Sequence, residues 1–249
     1  MSAVSNLLSS GPGALLKENL AAALKQAIME GRLAPGQRVI EGKWAREFGA
    51  AQASVREAIN LLIAEGFLIK DAGRSARVVN YREQDIAHLY EVRAAIEGFA
   101  AQLISAKGVD ISPLEAALDR MANAMKAQDM KALVRSDLEF HIALLEAPGN
   151  PVLADVGRKL LFPLFAFIQM RVLASGQGPE AWDDDMQYHR WMLQILREGN
   201  PNLAGQFVQQ CMRRFAAAAY QVWENKEGSV EAHNRDQRSQ RQKVKTPNA

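Results

Sequence analysis

Residues 41–67 read EGKWAREFGAAQASVREAINLLIAEGF, and their punctuation decides the fold of the first third of the chain. Glu41 to Phe48 fits one short helix, closed by Gly49. Ala53 to Glu65 fits a second, with Val55, Ile59, Leu62 and Ile63 on one face and Gly66 as its stop signal. Upstream, Leu16, Leu20, Leu24 and Ile28 recur every four residues, which predicts an amphipathic helix ended by Gly31 and then by Pro35-Gly36. Downstream, Phe67-Leu68-Ile69 and Val78-Val79 read as two short β-rich runs separated by the turn-forming segment Asp71-Ala72-Gly73-Arg74-Ser75.

Three helices followed by a small hairpin outline a winged helix-turn-helix over residues 14–80. Residues 1–13, rich in Ser and Gly, are expected to form a flexible arm. Beyond Tyr81 every strong signal is helical. Candidate helices run over 85–107, 112–127, 130–147, 151–174, 179–197 and 201–225, bounded by Gly108, Ser112-Pro113, Pro148-Gly149-Asn150-Pro151, Gly176 to Pro179 and Gly199-Asn200-Pro201. Pro163 is expected to kink the fourth of them. Six helices with short links imply an antiparallel all-α bundle over 81–225, so the fold class is mainly α. Residues 226–249 have no apolar period and are expected to be a disordered basic tail.

Composition excludes several classes. The 249 residues are 48% apolar and 23% charged, with a net charge of +2 and a single cysteine, Cys211. No apolar run of 18 or more suggests a membrane span, no signal-peptide pattern opens the chain, and one cysteine closes no internal disulfide, so a cytoplasmic protein is expected. Residues 1–80 carry 10 Lys and Arg against 7 Asp and Glu, whereas residues 81–223 carry 14 against 17. A basic head on an acidic body favours a polyanion at the head.

In a helix-turn-helix the second helix of the motif enters the major groove and its N-terminal side chains meet base edges. Here that opening is Ala51-Gln52-Ala53-Ser54-Val55-Arg56. Gln52 suits adenine, Ser54 can bond bases or phosphate, and Arg56 can reach guanine or phosphate. Gly73 and Arg74 sit at the hairpin tip, where Arg74 can touch the backbone. The alternative is a solvated helix face and an ordinary turn.

The run Leu24-Lys-Gln-Ala-Ile-Met-Glu-Gly-Arg-Leu-Ala-Pro-Gly-Gln-Arg-Val39, continuing through Val55-Arg-Glu-Ala-Ile59 to Leu62-Ile-Ala-Glu-Gly-Phe67, resembles the DNA-binding domain of the GntR family of bacterial transcription regulators. The resemblance implies a homodimer that grips a pseudo-palindromic operator in double-stranded DNA. Where family members commonly show Ser-Arg-Thr-Pro, this chain has Ala51-Gln52-Ala53-Ser54, so an amide suited to adenine stands where the family's base-reading Arg does. The wing's usual Arg-Gly is Arg74-Ser75.

Tyr90-Glu-Val-Arg-Ala-Ala-Ile-Glu97 and the helices after it resemble the FCD effector domain of the FadR-type branch. That resemblance implies a small organic acid effector beside one divalent metal ion, zinc first and nickel or another second, held by an Asp-x-x-x-His pair and two later histidines. Asp137 and His141 are four apart and share a helix face. His189 lies 11 residues before Asn200 and position 211 lies 11 after it, so both stand roughly 16 Å from that turn. The family pattern places the last histidine at 211, where this chain has Cys211. A thiolate there makes a zinc-selective set of four, and a buried thiol acting as a small hydrophobe leaves three. Arg93 is expected to pair with an effector carboxylate or, alternatively, with Glu97 one turn on.

The expected function is therefore a transcription regulator, a repressor in the commoner sense of the family, and not an enzyme. The competing reading is a metal-dependent hydrolase with an accessory DNA-binding head, for which no general base is identifiable.

Overall fold

Spacing of apolar residues at one helical turn buries one side of each head helix, and the chain breaks where a left-handed residue is needed. In the computed structural model, which describes residues 14–70, 75–175 and 178–216, helix α1 spans Ala14–Met29 and buries Leu20, Leu24, Ala27 and Ile28. Helix α2 (Glu41–Phe48) and helix α3 (Gln52–Ala64) follow. Between them Gly49 adopts φ 63°, and its N–H caps the carbonyls of Ala45 and Arg46. A side chain there would cost about 1–2 kcal/mol, so the glycine sets the turn of the motif.

Strands β1 (Leu68–Ile69) and β2 (Arg77–Val78) pair antiparallel, Leu68 opposite Val78 and Ile69 opposite Arg77. The segment after α1 lies on the other edge of β2. There the Val39 N–H donates to the Ala76 carbonyl at 2.8 Å and the Val78 N–H donates to the Gln37 carbonyl at 2.9 Å. The winged helix-turn-helix expected from the punctuation is therefore present. The hairpin tip, with Gly73 and Arg74, lies outside the described residues, as do the expected arm and tail.

The body is helical: α4 (Glu83–Lys107), α5 (Ser112–Lys126), α6 (Met130–Glu146), α7 (Pro151–Ser175), α8 (Asp183–Glu198) and α9 over 201–216. Side-chain caps open α6, α7 and α9, the last through Asn200 Oδ1, which accepts from the Leu203 N–H at 3.1 Å. The Asp129 carboxylate accepts from the Ala132 N–H at 2.9 Å to open α6, and Asn150 Oδ1 accepts from Val152 and Leu153 to open α7. The described helix boundaries lie within two residues of expectation except at the start of α8. Pro179–Trp182 forms a 3₁₀ turn, and the α-helix begins at Asp183, where three successive aspartates favour the positive end of the helix dipole.

Helix α7 passes unbroken through Pro163 and serves two cores. Leu161 and Phe165 pack in the body with Leu138, Phe140 and Leu144. Leu164, Ala166, Phe167 and Met170 pack with Leu20, Leu24, Ile28 and Leu62 of the head. Gly66, at φ 81° after α3, lies against the Pro163 ring: a Cβ there would sit 3.1 Å from Pro163 Cγ. Gln169 Nε2 donates to the Met29 carbonyl at 3.0 Å. No described helix is long and apolar enough to cross a membrane.

Candidate functional site

Three helices deliver polar side chains to one point inside the body, where polar groups are costly unless paired. Helix α4 supplies Arg93 and Glu97, α6 supplies Asp137 and His141, and α8 supplies Asp185 and His189. Arg93, Glu97, Asp137, His141 and His189 are all buried. The Phe140 ring stands edge-on to His189 at 4.6 Å, Phe165 lies 5.7 Å from His141, and the Arg93 guanidinium stacks over Tyr90 and Phe165.

The hydrogen bonds fix the tautomers. His141 Nδ1 faces Glu97 Oε2 at 2.6 Å, and His189 Nδ1 faces the Asp185 carbonyl at 2.6 Å. Both partners only accept, so each Nδ1 carries a proton and each ring turns its Nε2 inward. The inward nitrogens meet Asp137 Oδ1 at 3.3 Å from His141 and 3.1 Å from His189. These distances permit a hydrogen bond, yet Asp137 Oδ1 and His189 Nε2 both lack a partner with bonding geometry. The atoms converge on a common point instead of bonding each other, all within 4.8 Å.

Electrostatics matches this geometry. Burial opposes ionisation of Glu97, but Arg93, with Nε 2.7 Å from Oε1, and His141 outweigh it and hold the carboxyl down at about 2. Burial likewise opposes ionisation of Asp137, and the two imidazoles more than offset it, so its carboxyl lies below the usual range. Burial pushes the Asp185 carboxyl up to about 7, and nearby Asp137 adds to the rise.

One carboxylate oxygen and two imidazole nitrogens are a donor set for zinc, nickel or a similar borderline cation. The orphaned Asp137 Oδ1 and His189 Nε2 are what such an ion would satisfy. Glu97 and the Asp185 carbonyl, each holding the outer nitrogen of an inner imidazole, are the supports that metal-binding histidines use.

Cys211 does not join the three. It packs with Ala94 and Met212, flanked by Tyr90, Tyr188, Phe207 and Phe215, and burial pushes its thiol up to about 12. The thiol therefore stays protonated at neutral pH and behaves as a small apolar group. Of the two partners expected for Arg93, the structure supplies Glu97. Sequence reasoning missed Glu97 and Asp185 as supports of the imidazoles; only the four-residue spacing of Asp185 to His189 hinted at either.

On the head, the N-terminus of α3 faces outward. Ala51, Gln52, Ala53 and Arg56 are exposed, Ser54 is half-buried, and Val55 points into the core. Ala51 stands at the cap position with no capping side chain, which leaves the first N–H groups of the helix available to an anion. Arg56 is bound by Glu41 at the start of α2.

Compared with known proteins, residues 16–78 match the model described as "Bacterial regulatory proteins, gntR family", and residues 88–214 match the FCD domain. The chain belongs to the GntR family of bacterial regulatory proteins, with an FCD domain. It is similar to the probable D-xylose utilization operon transcriptional repressor of Paenarthrobacter nicotinovorans, at 26% identity over 82% of this chain and 87% of that one. It is also similar to the gluconate operon transcriptional repressor of Bacillus licheniformis, at 25% identity over 62% and 64%. A transcriptional regulator GntR from Rhodococcus sp. RHA1 shares the fold, with a TM-score of 0.73 at 20% identity over 83% of this chain and 98% of that one. This GntR-family protein is thus a DNA-binding transcription regulator and not an enzyme.

Proposed function

We propose that this regulator is a homodimeric repressor whose operator affinity is set by a small organic acid bound at the Asp137, His141 and His189 centre. Residues 14–80 are the reading head and residues 81–225 the sensing body, with 1–13 and 226–249 as arm and tail. Gln52, Ser54 and Arg56 meet the operator, the small Ala51 and Ala53 allow close approach, and Gly73 and Arg74 extend the contact from the hairpin. The exposed apolar Val92 and Phe99 of α4, one face of that helix, favour a second copy as the body's neighbour. The protein acts in the cytoplasm, beside its DNA.

The observation that carries the effector reading is the convergence of Asp137 Oδ1 with two inward imidazole nitrogens, two of the three atoms lacking any hydrogen-bond partner. Asp137, His141 and His189 would hold one divalent cation, which when bound supplies positive charge and open coordination positions to an anionic ligand. Glu97 keeps His141 in the required tautomer. Arg93 neutralises Glu97 and stacks over the Tyr90 ring beside them.

Helix α7 supports a route to the head. Its Phe165 lies against His141, and its Phe162, Pro163 and Gln169 contact the head at Lys25, Gly66 and Met29. An effector acts only by favouring one arrangement of α7 over another, and a tenfold change in operator affinity needs about 1.4 kcal/mol of coupling.

The test uses a duplex selected from random-sequence DNA and followed by fluorescence anisotropy, with zinc-loaded protein and gluconate, citrate and succinate as probes. At least one acid should weaken binding about tenfold in the wild type and not in Asp137→Ala. An effect that persists in Asp137→Ala, or no effect from any of the acids, contradicts the reading.

A further inference from the structure

Arg56 and Gln52 emerge from the same face of α3, and each is backed by a residue in the first turn of α2. Arg56 Nε donates to both Glu41 oxygens at 3.1 Å, and Nη2 donates to Oε2 at 2.8 Å. The arginine remains 57% exposed while the glutamate is 28% exposed, so the pair stands at the surface with its carboxylate on the inner side. Arg56 holds the Glu41 carboxyl below the usual range, chiefly through the hydrogen bond, and the carboxylate is ionised at neutral pH. Beside it, Gln52 lies over Gly42: a Cβ at Gly42 would be 3.2 Å from Gln52 Nε2 and 3.9 Å from its Cδ. Glycine is a poor residue inside an eight-residue helix, and here the lack of a side chain lets the amide lie close against the helix.

A guanidinium held side-on through Nε and Nη2 keeps one edge free, the end-on edge of Nη1 and Nη2, pointing in a fixed direction. Two targets on DNA respond differently to such a group. A phosphate is attracted by net charge, and the Arg56–Glu41 pair has none to offer while its carboxylate repels the anion. A guanine edge is a neutral pair of acceptors, O6 and N7, for which direction matters more than net charge. Among the described residues of the α3 opening, Arg56 is the group that bears this clamp.

We propose that the first turn of α2 sets which bases the protein reads: Glu41 is a positioning residue that makes Arg56 a reader of a guanine edge instead of a phosphate clamp, and Gly42 leaves the room in which Gln52 sits beside it. The proposal rests on the reading that the N-terminus of α3 enters the operator, and it leaves the effector site aside.

The experiment begins with a duplex selected from random-sequence DNA by the full-length wild type. Affinities are then measured across a salt series for that duplex, for versions with each guanine changed to adenine, and for an unselected random duplex. In the wild type one guanine per half-site should be worth about tenfold in affinity. In Glu41→Gln, which keeps the shape of the side chain, that preference should fall below about threefold. Binding to the random duplex should strengthen, and the salt slope should steepen by about one unit per head as Arg56 turns to a phosphate.

Unchanged guanine preference and slope in Glu41→Gln overturn the proposal, as does equal weakening on every duplex with the slope unchanged. Should Glu41→Gln fail to fold by circular dichroism, Arg56→Lys replaces it. That variant keeps the charge without the directed edge, and it should lose the guanine preference while keeping the salt slope; retained preference overturns the proposal. A wild type that selects no consensus overturns the underlying reading of α3 as well, which distinguishes that failure from failure of the Glu41 role alone.

Discussion

Substituting Gly66 by alanine tests whether head and body are coupled through α7, because a second glycine supplies an internal control. Gly66 and Gly31 both sit at positive φ, 81° and 76°, so alanine at either place pays the left-handed penalty of about 1–2 kcal/mol. They differ in surroundings. A Cβ at Gly31 meets nothing within 4 Å, whereas a Cβ at Gly66 would lie 3.1 Å from Pro163 Cγ and 3.8 Å from the Lys159 carbonyl oxygen. That carbonyl gets no helical N–H from Pro163, so the head touches α7 at a point where one helix hydrogen bond is missing. Pushing the two apart adds roughly 1 kcal/mol or more of overpacking. Urea unfolding should therefore show Gly31→Ala down by about 1–2 kcal/mol and Gly66→Ala by about 2–3 kcal/mol. Operator binding separates them further: Gly66→Ala should alter the change in affinity produced by effector, and Gly31→Ala should leave it as in the wild type. Equal losses of stability with identical effector responses would refute the reasoning that this contact transmits the signal.

Glu97→Gln should destabilise by about 3–5 kcal/mol in urea, because it leaves the buried Arg93 charge without its partner. The pH dependence has a defined sign. The Glu97 carboxyl is held at about 2 against an ordinary value of 4.5, so its contribution is present above that ordinary value and is lost as pH falls from there through about 2. The loss amounts to about 3 kcal/mol and should be absent in Glu97→Gln when stability is followed from pH 5 to pH 2. Cys211→Ala should leave metal uptake unchanged and reduce thermal stability slightly, by roughly 1 kcal/mol for the lost packing, since the thiol sits in an apolar cluster.

Much of the architecture was legible because its boundaries are chemical. Gly49, Gly66, Gly108 and Gly199 each take positive φ where the spacing predicted a stop, and Asn150-Pro151 begins a helix as expected. Asp137 and His141 were legible as a pair because four residues on one helix share a face whatever surrounds them. Cys211 shows where such arithmetic fails. Counting residues from the Asn200 turn fixes height along two antiparallel helices but not rotation about either axis, and α9 turns position 211 toward Ala94 and Met212. Glu97 lies 44 residues from His141, and Glu41 lies 15 from Arg56 on a different helix. Those contacts depend on how helices cross, which periodicity within one helix does not encode. The sequence marks Pro163 as a bend, but its packing against Gly66 depends on how head and body meet and is not encoded in either segment alone.

The central claim is that Asp137, His141 and His189 form one cation site inside a DNA-binding regulator. Titration calorimetry of zinc into chelator-stripped protein tests it most directly, with Asp137→Ala, His189→Ala and Cys211→Ala alongside. The account predicts one site per chain in the wild type and in Cys211→Ala, and none in the other two. Zinc binding that survives loss of Asp137 or His189, or a wild type that takes up none, would contradict it.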